Sequence, residues 1–457
     1  NWVSGSLCFT YLHIFLENSD MNYFSILKRY FPILLLLVKT NAQISYSGSI
    51  NPSKMVRLSD QTEISLPFRI AEAEVGYSLG NFEIKTNSAL EYRWSNGENE
   101  LQFREAYLVW YPSWGEVKLG KQIHAWGAVD GNNPTDNLNP YDYYYMFLPG
   151  AERKVGTVSG SLKYYWNDWQ IEGVFIPEHE GNRVPFGESD FPFGPPVDLT
   201  EFIIEENSSE FGLQLQTRSM GSDIGFNYLN GYDRSFTSIG LDYSNGLENN
   251  IPILGYRKTQ MLGINLVSFI HDFTLRSEFA FFSSNNHHLK HLIADHMGGE
   301  NEEEGEYFQF VSQFEYTTQT DIMISCQLIG QEILYDSWDD YYDNNLSPSP
   351  GSVAIVGPID RLIYFKPGMG TPFASFTDLG LMLSASTNYF DVALELMGNT
   401  FIDLKDSQFM LGVSAKYSPM DNWKLNMSVS KFMGDEGTQF HEMEDFSHLK
   451  VGLEFHF

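Results

Sequence analysis

Acidic and basic side chains alternate over one stretch in the first third of this chain, and they are the residues best suited to chemistry. When such side chains face each other across a constriction, they create a transverse electric field that orders water and selects solutes by charge and dipole. The chemistry that they suggest is electrostatic selection rather than bond making. The candidate residues are Arg104, Lys118, Gln122, His124, Asp130, Asp136, Asp142 and Arg153, with Arg276 and Glu278 from a later segment.

A second group of candidate residues is rich in histidine. His287, His291 and Asp295 are spaced i, i+4, i+8, so on a helix they would share one face, as zinc or copper ligands do. His288 and His296 lie beside them. No His-Glu-x-x-His pattern accompanies the group, and most stretches of this kind are polar loops.

Motifs for other chemistry are missing from the sequence. Asp130, Asn132 and Asp136 offer oxygen ligands at alternate spacing, but the closing Glu of a twelve-residue calcium loop does not follow them. There is no Gly-x-Ser-x-Gly, phosphate-loop or dinucleotide motif, and a turn pair such as His271-Asp272 is usually structural. We therefore predict that the protein is not an enzyme and holds no metal or cofactor.

The elements that must position these residues are β-strands. In the final segment every second residue from Leu449 to Phe457 is apolar, and the residues between them are polar or glycine. A strand of this kind that ends on an aromatic residue resembles the closing strand of Gram-negative outer-membrane barrels. The resemblance implies that Phe457 is read by the barrel assembly machinery.

Similar alternation recurs from residue 44 onward, and the connections alternate between tight and long. Tight turns are predicted at Gly80-Asn81, Asn167-Asp168 and Thr387-Asn388, whereas the connection from Tyr335 to Pro372 is long. The predicted fold is all-β, a transmembrane antiparallel up-and-down β-barrel of about 18 strands, with short periplasmic turns and long acidic extracellular loops. Sixteen strands are the second choice, and a soluble sandwich is the alternative.

The first 42 residues are predicted not to belong to this barrel. Residues 21–42 have the charged, apolar and small-residue parts of a secretory signal peptide, with cleavage before Gln43. We interpret residues 1–20 as a non-native upstream extension and residues 43–457 as the barrel. No later apolar run reaches the roughly 20 residues of a membrane-spanning helix, so only a closed barrel could cross a membrane.

The net charge is −31, and most of the excess acid lies in loop-like stretches. Acid in loops indicates solvated surface and argues against binding of nucleic acid. We expect the surroundings to be outer-membrane lipid and lipopolysaccharide. Aromatic residues flank the tight turns and would form a girdle at the membrane interface. They are Trp110, Tyr111, Trp114, Trp166, Trp169, Tyr389, Tyr417 and Trp423.

Three short motifs between residues 101 and 185 carry a further resemblance. Arg-Glu-Ala-Tyr stands at 104–107, Gly-Lys-Gln at 120–122, and Trp-Gly at 126–127 before Asp130. Together they resemble a porin-like family of Gram-negative outer-membrane barrels. In trimeric porins the third extracellular loop folds inward and narrows the pore, so the resemblance implies the same for residues 124–153 and allows a homotrimer.

Alternatives for this loop remain open. It can be an ordinary surface loop with solvated acids, or its cluster of aromatic residues, Tyr141, Tyr143, Tyr144, Tyr145 and Phe147, can form a sugar-stacking track. On a regular strand either Arg104 or Glu105 must also point outward.

The function expected from these observations is an outer-membrane porin, a diffusion channel for small hydrophilic solutes. A barrel of 16 to 18 strands is wide enough to leave an aqueous channel. One rival is a carrier for hydrophobic compounds or lipids, with an N-terminal plug in residues 43–67. Another is a structural or adhesive barrel that uses its acidic loops.

Overall fold

The computed structural model describes most of the chain from Gln43 to the C-terminus. The segments predicted as an upstream extension and a signal peptide, residues 1–42, lie outside the described residues. The described ranges are 43–148, 150–192, 198–200, 203–204, 208–242, 251–289, 304–337, 365–391 and 393–457.

Nineteen strands form one antiparallel sheet that closes on itself. The alternation of apolar and polar residues explains the closure, because each strand has one face for lipid and one for the lumen. The strands are β1 (Gln43–Ile50), β2 (Ser53–Arg57), β3 (Phe68–Leu79), β4 (Phe82–Tyr92), β5 (Asn99–Trp110), β6 (Gly115–Gln122), β7 (Thr157–Trp166), β8 (Trp169–Ile176), β10 (Glu210–Ser219), β11 (Ser222–Tyr232), β14 (Lys258–Ile270), β15 (Phe273–Asn285), β16 (Glu304–Thr317), β17 (Met323–Asp336), β18 (Leu379–Tyr389), β19 (Leu394–Asp403), β20 (Gln408–Met420), β21 (Trp423–Gly434) and β22 (His448–His456).

The first two strands share one place in the wall. Gln43 to Ile50 pairs with β3, and after a break at Asn51 and Pro52 the chain pairs with β22 from Ser53 to Arg57. The barrel therefore has 18 strand positions, which confirms the predicted fold class and the predicted number of strands. Residues 43–67 form wall and a short connection, so the N-terminal plug expected for the hydrophobic carrier is not made by this segment.

Eight tight turns join the strands at one rim of the barrel. Several turn residues adopt a positive φ, as two-residue hairpin turns require: φ is 54° at Asn167, 56° at His271 and 69° at Asn422. One predicted position is wrong, because β18 continues through Thr387 and Asn388 and ends at Tyr389. Strand pairing with Glu395 and Leu396 extends that hairpin.

Exposed apolar side chains cover the outer surface of the wall, and aromatic residues are concentrated near the rim of tight turns. Trp166 is 56% exposed and Tyr389 is 51% exposed. Trp114 packs edge to face on Trp110. This distribution is the one expected for a girdle at a membrane interface. Within the described part of the chain, no helix has the length and apolar character needed to cross a membrane.

The opposite rim carries the long connections. The third of these connections is residues 123–156, slightly longer than the predicted 124–153, and we call it the third loop. A small separate sheet at this rim consists of β9 (Ile203–Ile204), β12 (Thr237–Asp242) and β13 (Ile251–Gly255). Short 3-10 helices span Tyr143–Tyr145, Gly150–Arg153, His287–Leu289, Pro372–Ser375 and Glu444–Phe446, and an α-helical turn spans Gln439–Glu442.

Candidate functional site: a loop across the barrel lumen

The third loop leaves the wall at the end of β6 and turns into the barrel. The backbone N–H of Ile123 donates to the Glu105 carboxylate at 2.9 Å. Asn139 then joins the two ends of the loop, because its side-chain amide donates to the carbonyl oxygens of Gln122 and Val155, each at 3.0 Å. The loop therefore enters and leaves the wall at a point held by a buried asparagine.

Beyond this point the loop reaches the far wall, where Glu278 of β15 anchors it. One oxygen of this carboxylate accepts the backbone N–H groups of Ala128 at 2.5 Å and Val129 at 2.9 Å. The side chains of Asn133 and Thr135 donate to the two oxygens at 2.8 and 2.7 Å. A carboxylate that is 3% exposed and accepts four such bonds fixes the loop firmly to the wall.

Glutamines of the neighbouring strands extend the anchor. Asp130 accepts a hydrogen bond from Gln313 of β16 at 3.0 Å, and Asn132 donates to Gln327 of β17 at 3.0 Å. The side-chain Oδ1 of Asn132 also accepts a hydrogen bond from the Thr371 hydroxyl at 2.8 Å. Residues 369–371, which precede β18, therefore lie inside the barrel against the loop.

A buried ion pair stabilises the middle of the loop. The Lys154 ammonium lies 2.7 Å from the Asp136 carboxylate, and both side chains are less than a tenth exposed. Burial raises the pKa of Asp136 and lowers the pKa of Lys154, while the attraction between the two opposes both shifts. We take the pair as ionised, because each charge has the other as its partner.

His124 lies beside this pair and is neutral at physiological pH. Burial, together with the positive charges of Lys154 and Lys118, lowers the pKa of His124 to about 3. The Nε2 atom of the ring is 3.0 Å from the Ser159 hydroxyl, and the backbone N–H of His124 donates to the side-chain oxygen of Asn139. His124 therefore holds the loop in place and carries no charge at the passage.

Asp142 and the near wall form a cluster of two acids and two arginines. Arg183 donates to Asp142 at 2.9 Å and to Glu91 at 2.8 Å. Arg69 of β3 lies 3.4 Å from Asp142 and 3.8 Å from Glu91. Burial raises the pKa of Asp142, and the two guanidinium groups oppose this shift. Acidic and basic side chains therefore alternate in this cluster.

Arg104 joins the same region through a β-bulge. It donates to the Glu152 carboxylate at 3.0 Å and to the Ala151 carbonyl at 2.9 Å. The pairing of β4 and β5 shifts between the pairs Asn87↔Glu105 and Ser88↔Phe103, which inserts one extra residue. Both Arg104 and Glu105 therefore contact the third loop, and the expectation that one of them must point outward is wrong.

The other predicted residues lie in separate places. Lys118 pairs with Glu116 on the lumen face of β6 at 2.9 Å. Gln122 donates to the Ser159 carbonyl, and the buried Arg153 guanidinium lies over the Tyr141 ring, 5.4 Å from its centroid. Arg276 pairs with Glu315 at 3.2 Å and also donates to the Ala128 carbonyl at 3.1 Å.

Tyrosines of the third loop pack inside the barrel. Tyr141 and Tyr145 are buried, and the Arg69 guanidinium lies 3.8 Å from the Tyr145 ring centroid. Tyr144 donates to Glu188 at 2.9 Å, and burial together with Glu188 raises the pKa of its hydroxyl. These contacts favour packing over sugar stacking for the three tyrosines, whereas Phe147 of the same cluster is 39% exposed.

The candidate cation ligands considered from the sequence do not converge within the described residues. Asp130, Asn132 and Asp136 have different partners, as described above. His287 instead pairs with Glu304 at 2.7 Å, and His291, Asp295 and His296 lie outside the described residues. No group of three or more His, Cys, Asp or Glu side chains suited to a metal occurs in the part of the chain that the structure describes.

A second internal feature lies at the rim of long loops and is apolar. Inward side chains of β19 to β21 meet side chains from residues 373–376 and 440–446, and the result is a buried aromatic cluster. Phe401 and Phe432 are at most 1% exposed, although they face the inside of the barrel. The cluster consists of Phe373, Phe376, Phe401, Phe432, Phe440 and Phe446, with Met410 and Met443.

Several residues of the site were not predicted from the sequence. Arg69 and Arg183 carry the contacts to Asp142, but they lie 73 and 41 residues from it along the chain. Glu152 and Thr371 are similarly remote from Arg104 and Asn132. The only signal for the two arginines is that basic side chains are rare in this acidic chain, with 28 Lys and Arg against 59 Asp and Glu.

One family model covers most of the chain. The family described as "Protein of unknown function (DUF1302)" matches residues 69–455. The chain belongs to the DUF1302 family. No curated protein sequence matches it.

Members of several barrel groups are similar to this DUF1302 protein in structure. OccK5 (OpdH) of Pseudomonas aeruginosa has a TM-score of 0.48 and 10% identity, with 91% of this chain and 97% of that chain covered. OccAB3 of Acinetobacter baumannii has a TM-score of 0.48 and 9% identity, with 91% of this chain and 99% of that chain covered. A loop-deletion mutant of OmpT, an outer membrane protein of Vibrio cholerae, has a TM-score of 0.42 and 9% identity. The match covers 92% of this chain and 100% of that chain. Identities this low transfer neither a solute nor a residue role.

Proposed function

We propose that this DUF1302 protein is an outer-membrane diffusion channel for small hydrophilic solutes, and that the third loop is its constriction. The observation that carries the proposal is the anchoring of the loop to both walls, by Glu278 on one side and by Arg69 and Arg104 on the other. A loop held in this way divides the lumen at a fixed height, as a constriction must.

The lumen wall below the loop supports a water-filled passage. Lys416 and Glu395 face inward on β20 and β19, are 3.6 Å apart, and have side chains that are 51% and 41% exposed. Lys85 of β4 is 35% exposed and pairs with Glu83. Charged side chains that stay this exposed inside a barrel face water, and a barrel of this strand number has room for it.

The test is single-channel conductance of the refolded protein in a planar bilayer, compared with Asp142→Asn. Neutralising Asp142 leaves Arg69 and Arg183 with one acid fewer, so the preference of the channel should move toward anions. We expect the reversal potential in a salt gradient to shift accordingly. Asp60→Asn is the control, because Asp60 is fully exposed and, among the described residues, its hydrogen bonds stay within its own turn, to Thr62.

Two results would contradict the proposal. Absence of current from correctly folded protein would mean that the lumen is closed. An equal shift in Asp142→Asn and Asp60→Asn would mean that selectivity arises from general surface charge, so the third loop would not be the constriction.

A second candidate function is a carrier for hydrophobic compounds. The aromatic cluster at the rim of long loops favours it, because inward apolar side chains offer an apolar solute a path that water-filled pores lack. The acidic and basic cluster around Asp142 favours the hydrophilic channel instead. Uptake into proteoliposomes of an uncharged sugar and of an aromatic hydrocarbon would separate the two functions.

A further inference from the structure

The wall of the barrel has a gap where the third loop turns inward. Hydrogen bonding between β5 and β6 ends at the pair Ala106↔Lys121. Strand β5 continues for seven more residues, up to Asn99, and over this length it pairs with β4 alone. One edge of β5 is therefore left without a neighbouring strand, because the chain that would have extended β6 has entered the lumen.

This gap opens on the apolar outer surface. Leu101 and Phe103 lie on the unpaired part of β5, and they are 61% and 54% exposed. Val158, near the start of β7 on the other side of the gap, is 54% exposed. An unpaired strand edge is unfavourable in hydrocarbon, because its N–H and C=O groups have no water to bond. A polar group of some other molecule would satisfy this edge.

A cavity of about 340 Å³ lies at the gap, and more basic than acidic side chains line it. It runs from the unpaired edge of β5 to the lumen cluster around Asp142, and a cavity of this size accommodates part of a small ligand. Five basic side chains and two acidic side chains line it. The basic residues are Arg69, Arg104, Lys121, Lys154 and Arg183.

Four of these basic side chains pair with acids, and Lys121 is the exception. Lys121 makes no ion pair with any residue that the structure describes. Arg69 and Arg104 are ion-paired and only 6% exposed, but among the described residues the Nε–H of each has no hydrogen-bond partner. Buried donors without partners are unfavourable, which is why such groups commonly mark a place where a ligand binds.

We propose that this gap is a lateral binding site for an anionic amphiphile with a carboxylate head and a linear hydrocarbon chain. The head lies in the cavity, where Lys121 and Arg104 bind its negative charge and the free edge of β5 donates N–H groups. The chain lies over Leu101 and Phe103 in the outer part of the bilayer. Charge complementarity selects the head, and the exposed apolar side chains select the tail.

This site differs from the constriction in what it recognises. The constriction acts on hydrated solutes that pass along the axis of the barrel, whereas the gap is reached from the membrane. The proposal does not rest on the proposed channel function. A barrel can bind the amphiphile without conducting, and it can conduct without binding the amphiphile.

Binding of dodecanoate to the protein in nanodiscs tests the site, with dodecanol and acetate as comparison ligands. We expect dodecanoate to bind at least tenfold more tightly than either, because dodecanol lacks the charge and acetate lacks the chain. Lys121→Glu should weaken dodecanoate binding at least tenfold. Lys431→Glu is the matched control, since Lys431 is an exposed lysine on β21.

Two further measurements make the result decisive. A Leu101→Ser/Phe103→Ser variant should lose the advantage of dodecanoate over acetate while acetate binding stays unchanged. The heat-modifiable electrophoretic mobility of folded barrels verifies that each variant has closed. Equal dodecanoate binding by wild type and Lys121→Glu would overturn the proposal. Equal binding of acetate and dodecanoate would also overturn it, because the site would then take a free anion.

Discussion

The carboxylate of Glu278 on β15 accepts the backbone N–H of Val129 at 2.9 Å, although 149 residues separate the two along the chain. This contact crosses the lumen, because the third loop starts from β6 on the other side of the barrel. Glu278 is thus one of the wall residues that fix where the loop crosses, together with Gln313 and Gln327. The position of Glu278 is the part of the site that can be tested most directly.

Glu278→Gln should loosen the third loop without opening the barrel wall. A glutamine has one acceptor oxygen in place of two. Either the donor of Thr135 or the donors of Ala128 and Val129 therefore lose their acceptor, which lowers the stability of the loop by about 1.5–3 kcal/mol. We expect faster proteolysis within the loop and larger fluctuations of the open-channel current. Glu395→Gln is the control, since Glu395 faces the lumen but does not contact the loop. Identical proteolysis of both variants would contradict the anchoring role.

Gly212→Ala should displace the loop by a direct clash. A Cβ atom at Gly212 would lie 2.7 Å from the Trp126 ring and 2.9 Å from the Leu138 side chain, both of which are buried in the loop. We expect a loss of about 1–3 kcal/mol in unfolding free energy, typical of overpacking, and a changed tryptophan emission. Gly173→Ala on the adjacent strand is the matched control, because nothing lies within 4 Å of its Cβ position.

Asp136→Asn should destabilise the protein more than the other substitutions in the loop. The change leaves the buried Lys154 ammonium without its partner, and breaking a buried ion pair costs about 3–5 kcal/mol. Urea unfolding in detergent micelles measures the loss. The double variant Asp136→Leu/Lys154→Met should regain much of the stability, because it removes both charges. If the double variant were as unstable as Asp136→Asn, the unpaired charge would not be the cause.

Acid should destabilise the loop through His124. The folded protein keeps this ring neutral down to a pKa of about 3, whereas in the unfolded chain the ring gains a proton near pH 6.5. The unfolded state therefore binds more protons between these values, and stability falls as the pH is lowered through this window. The loss is about 2 kcal/mol from pH 6.5 to 5.

The measurement is the free energy of unfolding at these two pH values, compared with His124→Gln. This variant keeps a side chain that can bond to Ser159 but does not titrate. The unfolding free energy of this variant should fall less between the two pH values than that of the wild type. The difference should be about 2 kcal/mol, the amount assigned to His124. The same pH dependence in both proteins would assign the effect to other groups.

The barrel could be predicted from the sequence because its signal is local. Alternation with a period of two and the turn residues near Asn167 and Gly221 determine strands and hairpins over about ten residues at a time. The contacts of the site are not local. Nothing near Asp142 in the sequence indicates Arg69, and nothing near Asn132 indicates Thr371, because closure of the barrel brings these residues together.

The bulge at Arg104 shows the same limit on a smaller scale. Strict alternation predicts that Arg104 and Glu105 face opposite sides, and a single extra residue in β5 removes that restriction. The turn after β18 likewise lies beyond the paired residues Tyr389 and Leu394, and not at the predicted position Thr387-Asn388. Register depends on the partner strand, which one segment of sequence does not reveal.

The crossing of the lumen also constrains the order in which the protein can fold. Asn132 reaches Gln327 and Thr371, which follow it by 195 and 239 residues. The third loop cannot complete its contacts until β15 to β17 and the segment before β18 have been added to the growing wall. Contacts of such long range slow folding, because the chain must be ordered before they form. The passage is thus among the last parts of the molecule to assemble, and an incomplete barrel has none.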